Sequence, residues 1–151
     1  RFITWRIMWY SSEMPLAPCI SRAVRDVLGQ KHQPLKESVV LVLGVAYKKD
    51  IDDVRESPAL DVMRLLKEEG SEVRYHDPYV PKLSEEGIVL MSEELTDDLL
   101  RLADVVLILT DHSCFNYLQI VDHANAIVDA RNALANAGIV TRGRDSWIVK
   151  S

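Results

Sequence analysis

Glycine is scarce in this chain. The six residues present never fall into the G-x-G-x-x-G order that lets a strand-turn-helix backbone cradle a pyrophosphate. No G-x-x-x-x-G-K-[ST] run occurs either, so any phosphate has to be met by side chains. Cysteine is scarcer still. Cys19 and Cys114 are too few for a disulfide framework and lack metal-ligand spacing, which suits a reducing, cytoplasmic setting. No apolar run approaches the roughly 20 residues of a membrane-spanning helix. Positive charge is not in excess: a net charge of −5 argues against a nucleic-acid or polybasic membrane surface as the main role.

What is present describes an ordinary globular domain. The chain has 151 residues, 48% hydrophobic and 27% charged, enough for one well-packed core. Met14 to Gly29 reads as a helix, with Ser12 or Glu13 near its cap, Pro15 in the first turn and Gly29 as its stop. A polar linker leads to Val39–Leu43, a continuous aliphatic run of the kind buried on both faces of a parallel sheet. A helix is predicted from Pro58 to Glu69, a strand at 72–76, and a short strand at 87–90. Ser92 is predicted to cap a helix ending near Ala103. Val105 to Thr110 forms another buried strand, and a helix or turn spans Ser113 to Val121. "AIVDAR" is the next strand, and a last one is expected at Ile139-Val140. Strands alternating with helices give an α/β fold, a Rossmann-like three-layer sandwich with a mainly parallel sheet that lacks the glycine fingerprint.

The densest chemistry follows Val39–Leu43. From Lys48 to Glu56 the sequence KKDIDDVRE carries nearly balanced charge between a strand and the helix-start pair Ser57-Pro58. Ligands of open parallel sheets collect beyond the carboxyl ends of strands. Those ends carry this loop, His76-Asp77, Asp111-His112 and Asp129-Ala130-Arg131. Lys48, Lys49, Arg55 and Arg131 are the candidates to meet phosphate, each charge-assisted bond being worth about 1.5–3 kcal/mol. Charged loops also simply sit in water, and Arg55 could pair with Asp52 or Asp53. His76-Asp77-Pro78 reads as a turn, His112 and His123 as surface or edge residues, and Asp104 and Asp111 as caps or turns. No metal site is expected.

"GVAYKKDIDDVRESPAL", "GSEVRYHDPYVP", "ADVVLILTDHSCF" and "IVDARNAL" together resemble, in order and spacing, the C-terminal, UDP-binding domain of the UDP-glucose/GDP-mannose dehydrogenase family. The likeness covers about residues 14 to 141. It most resembles the branch oxidising UDP-N-acetylhexosamines, the UDP-N-acetylglucosamine and UDP-N-acetylmannosamine 6-dehydrogenases. The resemblance implies that Tyr47, Lys48 and Arg131 contact a UDP-sugar. It places Arg55 toward an NAD held by the family's N-terminal domain, and makes Asp53 and Glu56 supports of the loop. It divides the chain into an atypical segment at 1–13, a helix and linker at 14–36, and the nucleotide-sugar-binding domain at 37–151.

The family's two-step, NAD-dependent oxidation of the sugar C6 alcohol uses a cysteine in a G-x-C-x-P-K setting. Neither Cys19 nor Cys114 has those neighbours. The expectation is therefore a half-site: no catalytic residue in this chain, none of the cofactor bound by it alone, and a missing NAD-binding domain as its partner. The alternative is a stand-alone, non-enzymatic binding or assembly module. For that reading the aromatic segment RFITWRIMWY suggests a partner surface, with a homodimer forming through it or through the first helix.

Overall fold

The computed structural model describes residues 16–139 in full and, by their backbone, two short strands at 3–7 and 148–149. The central sheet grows from aliphatic runs. In chain order its strands are β1 (Ile3–Ile7), β2 (Val39–Leu43), β3 (Glu72–His76), β6 (Val105–Ile108), β7 (Ala126–Asp129) and β8 (Ile148–Val149). They lie side by side as β3-β2-β6-β7-β1-β8, and every pairing is parallel. Successive side chains of a strand point to opposite faces. Val40 and Val42 of β2 therefore enter one core, with Val24, Val27, Met63, Leu66 and Tyr75. Leu41 and Leu43 enter the other, with Leu99, Leu100, Ile120 and Leu134. Both clusters are essentially sealed from water, at about 1.5–3 kcal/mol per fully buried aliphatic side chain.

The helices complete three layers. α1 (Leu16–Gln30) and α2 (Pro58–Glu68) pack on each other and cover the first face. α3 (Asp97–Leu102), α4 (Tyr117–His123) and α5 (Ala133–Asn136) contribute to the second. The α/β expectation is met, and no helix among the described residues is long and apolar enough to cross a membrane.

Several local signals resolve differently from the sequence reading. Ser12, Glu13 and Pro15 lie outside the described residues. α1 runs past Gly29 to Gln30, and His32 takes the left-handed turn instead, at φ 54°. Ser57 and Pro58 start α2 as expected, the Ser57 hydroxyl accepting from the Ala59 N–H at 3.3 Å. Ser92 caps no helix: its hydroxyl accepts from the Asp77 N–H at 2.9 Å. Thr96 caps α3 instead, accepting from the Leu99 N–H at 3.1 Å, with Asp97 and Asp98 in the first turn favourable to the helix dipole. Ser113 lies in a turn, and Asn116 caps α4.

The strand expected at 87–90 is present, whereas β1, α5 and the strand just before residue 87 have weak sequence signals. β4 (Lys82–Glu85) pairs antiparallel with β5 (Ile88–Met91) through Glu86 and Gly87, both left-handed as a type I′ turn requires. α5 follows β7 after a three-residue turn. Ile139 is not in a strand; its N–H donates to the Leu134 carbonyl at the end of α5. Val140 lies outside the described residues. Ile3–Ile7 of the N-terminal segment is a strand of the main sheet, in register with β7 from Ile3 opposite Ala126 to Arg6 opposite Asp129.

Candidate functional site

Strand order decides where a ligand can sit. From β2 the chain crosses to β3 on one side, then to β6 on the other. The carboxyl ends of β2 and β6 therefore flank the reversal, where a crevice opens in folds of this kind. Gly44 ends β2 at φ +83°, and a Cβ there would lie 2.4 Å from Thr110 Cβ. Only glycine fits this approach. Thr110 closes it by donating its hydroxyl to the Ala46 carbonyl at 2.8 Å.

The next residues of the loop are tied to a buried carboxylate. Asp77, at the end of β3, is fully buried. Its Oδ2 accepts from the Val45 N–H at 2.8 Å, the Ala46 N–H at 3.3 Å and His112 Nε2 at 2.9 Å. Its Oδ1 accepts from the Tyr79 N–H at 2.9 Å. Burial opposes the Asp77 charge, but the bonds from His112, Val45 and Tyr79 outweigh it and hold the carboxyl below its usual range. His112 is also fully buried, which corrects its reading as a surface or edge residue. Its Nδ1 accepts from the Asp50 N–H at 2.8 Å, so the proton of the neutral ring sits on Nε2 and points at Asp77. The Tyr79 ring lies against it at 4.7 Å and the Phe115 ring at 5.3 Å.

Asp50 clasps the loop from its outer side. It adopts φ 62°, and its carboxylate accepts from the Ser113 N–H at 2.8 Å and the Ser113 hydroxyl at 2.6 Å. Those bonds hold the Asp50 carboxyl below its usual range. Residues 44–46 are thus buried and fixed, while 47–52 rise into solvent. Tyr47 is 45% exposed, with Lys48 Nζ 5.7 Å from its ring centroid. The Tyr47 N–H donates to the Asp53 carbonyl at 2.7 Å, closing the tip.

The charged residues of the loop divide by role. Asp53 holds Arg55 in a two-point pair, Oδ1 with Nε and Oδ2 with Nη2, both at 3.1 Å. The guanidinium draws the Asp53 carboxyl below its usual range and is itself pushed up by the carboxylate. Both are too exposed for this pair to matter much for stability; it sets the direction of Arg55. Tyr47, Asp53, Arg55 and Glu56 line one open hollow of about 360 Å³. Lys48 and Arg131 are not among that lining. Glu56 takes the left-handed conformation at φ 58°, at the bend into α2.

Arg131 stands beyond β7, one strand removed from the loop, so the ends of β2 and β7 are about 10 Å apart. Its Nε donates to the Leu109 carbonyl at 2.8 Å, which ties it to the end of β6. The buried Asp129 carboxylate accepts from the N–H groups of Arg131, Ala133 and Leu134, fixing the turn and the start of α5. Beside it, Asn132 is left-handed at φ 59° and its Oδ1 is buried without a hydrogen-bond partner.

The same geometry tests a dinucleotide on this chain. The N–H groups of Val45 and Ala46, which a glycine-rich turn would offer to a pyrophosphate, are taken by Asp77. The residues present do not fit a Rossmann-type NAD cradle. Desolvation by the neighbouring side chains, with Asp50 and Asp77 nearby, pushes the exposed Cys114 thiol up, away from the thiolate that covalent catalysis needs. No cluster of metal-ligating side chains occurs among the described residues.

The pairings define an open, parallel α/β domain of Rossmann-like class with a side-chain-rich loop at its switch point. The family model described as "UDP-glucose/GDP-mannose dehydrogenase family, UDP binding domain" matches residues 41–136, and the chain belongs to that family. It is 31% identical over 114 residues to the UDP-N-acetyl-D-mannosamine dehydrogenase of Escherichia coli (strain K12), covering 74% of this chain and 27% of that protein. It is 35% identical over 98 residues to an NDP-N-acetyl-D-galactosaminuronic acid dehydrogenase of Ralstonia solanacearum, covering 63% and 22%. Among solved structures, the UDP-D-ManNAc dehydrogenase of Pyrococcus horikoshii superposes with a TM-score of 0.62 at 26% identity, over 83% of this chain and 28% of that one. A UDP-glucose dehydrogenase of Pyrobaculum islandicum gives 0.58 at 29% identity, over 87% and 29%. The chain spans about a quarter of the length of the curated relatives it matches.

Proposed function

We propose that this chain is the nucleotide-sugar-binding domain of an NAD-dependent UDP-sugar 6-dehydrogenase, acting on a UDP-N-acetylhexosamine or UDP-glucose. The observation that carries the reading is the loop 44–57. Its base is fixed in the core while Tyr47 and Lys48 stand in solvent at the switch point of a UDP-binding-family fold. The UDP-sugar lies across the ends of β2, β6 and β7. Tyr47 and Lys48 meet it from one side, and Arg131, tied to Leu109, meets it from the other. Asp53 turns Arg55 outward, toward NAD held by a separate N-terminal domain, and Glu56 supports the bend. The relatives' greater length leaves room for such a domain, and their names suggest the hexosamine branch.

On this reading the binding of nucleotide and the oxidation are divided between domains. Hydride acceptance from the sugar C6 would be supplied by NAD bound to the separate domain. The residues of this chain bind and orient the diphosphate in a reducing, cytoplasmic setting. The alternative, an assembly module seated on a second copy through the N-terminal segment or first helix, has less support. Ile3–Ile7 already pairs on both edges within its own sheet.

Titration calorimetry with UDP tests the reading. A dissociation constant around 0.1 mM, or about −5.5 kcal/mol, is expected. Lys48→Ala and Arg131→Ala should each weaken it about tenfold, the loss of one charge-assisted contact. No heat with folded protein at millimolar UDP contradicts it.

A further inference from the structure

We propose that Asp77 and His112 are positioning residues of the nucleotide-sugar site, forming an internal anion latch that sets the loop carrying Tyr47 and Lys48. The inference rests on the reading above and adds residues to it that touch no ligand. The usual first turn of a dinucleotide fold leaves its N–H groups open for a phosphate. Here Asp77 Oδ2 occupies the Val45 and Ala46 N–H groups, so the protein's own carboxylate stands where an external anion would be held. The consequence is mechanical. A loop without a glycine cradle needs another anchor, and a fully buried carboxylate with four donors supplies one.

His112 extends the anchor outward. It donates to Asp77 through Nε2 and accepts the Asp50 N–H at Nδ1, three residues beyond Tyr47. The left-handed Asp50 then returns its carboxylate to Ser113, the residue after His112. Tyr47 and Lys48 lie between the two fixed points, Ala46 and Asp50. Such a short, doubly pinned segment loses little conformational entropy when it meets a ligand, which is the benefit of preorganisation. Tyr117 closes the other side by donating its hydroxyl to the His112 carbonyl at 3.0 Å.

The test uses the full chain with His112→Ala, His112→Gln and Asp50→Gly. Glutamine can still donate to Asp77 and accept from Asp50. Glycine suits the left-handed position, keeps the N–H bond to His112 and removes the clasp on Ser113. UDP affinity, the thermal midpoint and amide exchange at Tyr47 to Asp50 are measured for each. The latch predicts at least a tenfold loss of UDP affinity in His112→Ala, recovery to within about threefold in His112→Gln, and a severalfold loss in Asp50→Gly with an unchanged midpoint. Exchange at the loop amides should rise wherever affinity falls. If wild type binds UDP and His112→Ala binds it equally well, the latch is overturned. Should His112→Ala not fold, Asp50→Gly decides, and unchanged UDP affinity there overturns it. If wild type itself does not bind UDP, the nucleotide-sugar reading falls, and the inference falls with it.

Discussion

Gly44 and Asp77 show how few atoms define the mouth of this sheet. Gly44 combines a positive φ with a Cβ position already filled by Thr110. Gly44→Ala should therefore cost about 2–4 kcal/mol from overpacking and backbone strain together, read from urea unfolding. Asp77 makes a different prediction. Its folded carboxyl lies below the usual range, so its stabilisation is complete above the unfolded value of about 3.9 and is lost as pH falls through the folded one. Asp50 and Asp53 shift in the same direction, but both are exposed and add little to stability. Stability should fall on acidification below about pH 4, and Asp77→Asn should flatten that dependence in part while lowering stability at neutral pH. An unchanged acid limb in Asp77→Asn would show that the other carboxylates carry it.

Among the elements, capping separates short helices that stand alone from those that depend on one side chain. Thr96→Ala should cost about 1 kcal/mol, an ordinary cap loss. Asp129→Ala leaves the N–H groups of Arg131, Ala133 and Leu134 without their buried acceptor. It should cost about 2–4 kcal/mol in chemical denaturation, and release Arg131 from its fixed turn. Legibility follows the same division. β2 and β6 were readable because strands buried on both faces are uninterrupted aliphatic runs, and α2 because Ser57, Pro58 and Gly70 mark both its ends. β4 was not, since Lys82–Glu85 buries only Leu83. α5 has four residues, too few for a period, and its acceptor lies in the preceding strand. Ser92 carried the right chemistry for a cap, but Asp77 claimed its hydroxyl.

Across the whole molecule, the candidate site was legible in position but not in its support. The loop, Lys48 and Arg131 stand out in the sequence because polar residues follow buried strands, whereas Tyr47 is named only by the family resemblance. The burial of His112 could not be read there, since its partners Asp50 and Asp77 are 62 and 35 residues away and meet it only through the strand order. The hollow lined by Tyr47, Asp53, Arg55 and Glu56 likewise needs the folded loop.

The most direct test of this account is a titration of the isotopically labelled chain with UDP, followed by amide chemical shifts. The account predicts that the shifts cluster at Tyr47–Lys48, at Thr110–Asp111 and at Arg131–Asn132, the ends of three neighbouring strands. Shifts confined to the outer faces of α1 and α2, or none at millimolar UDP, would contradict it.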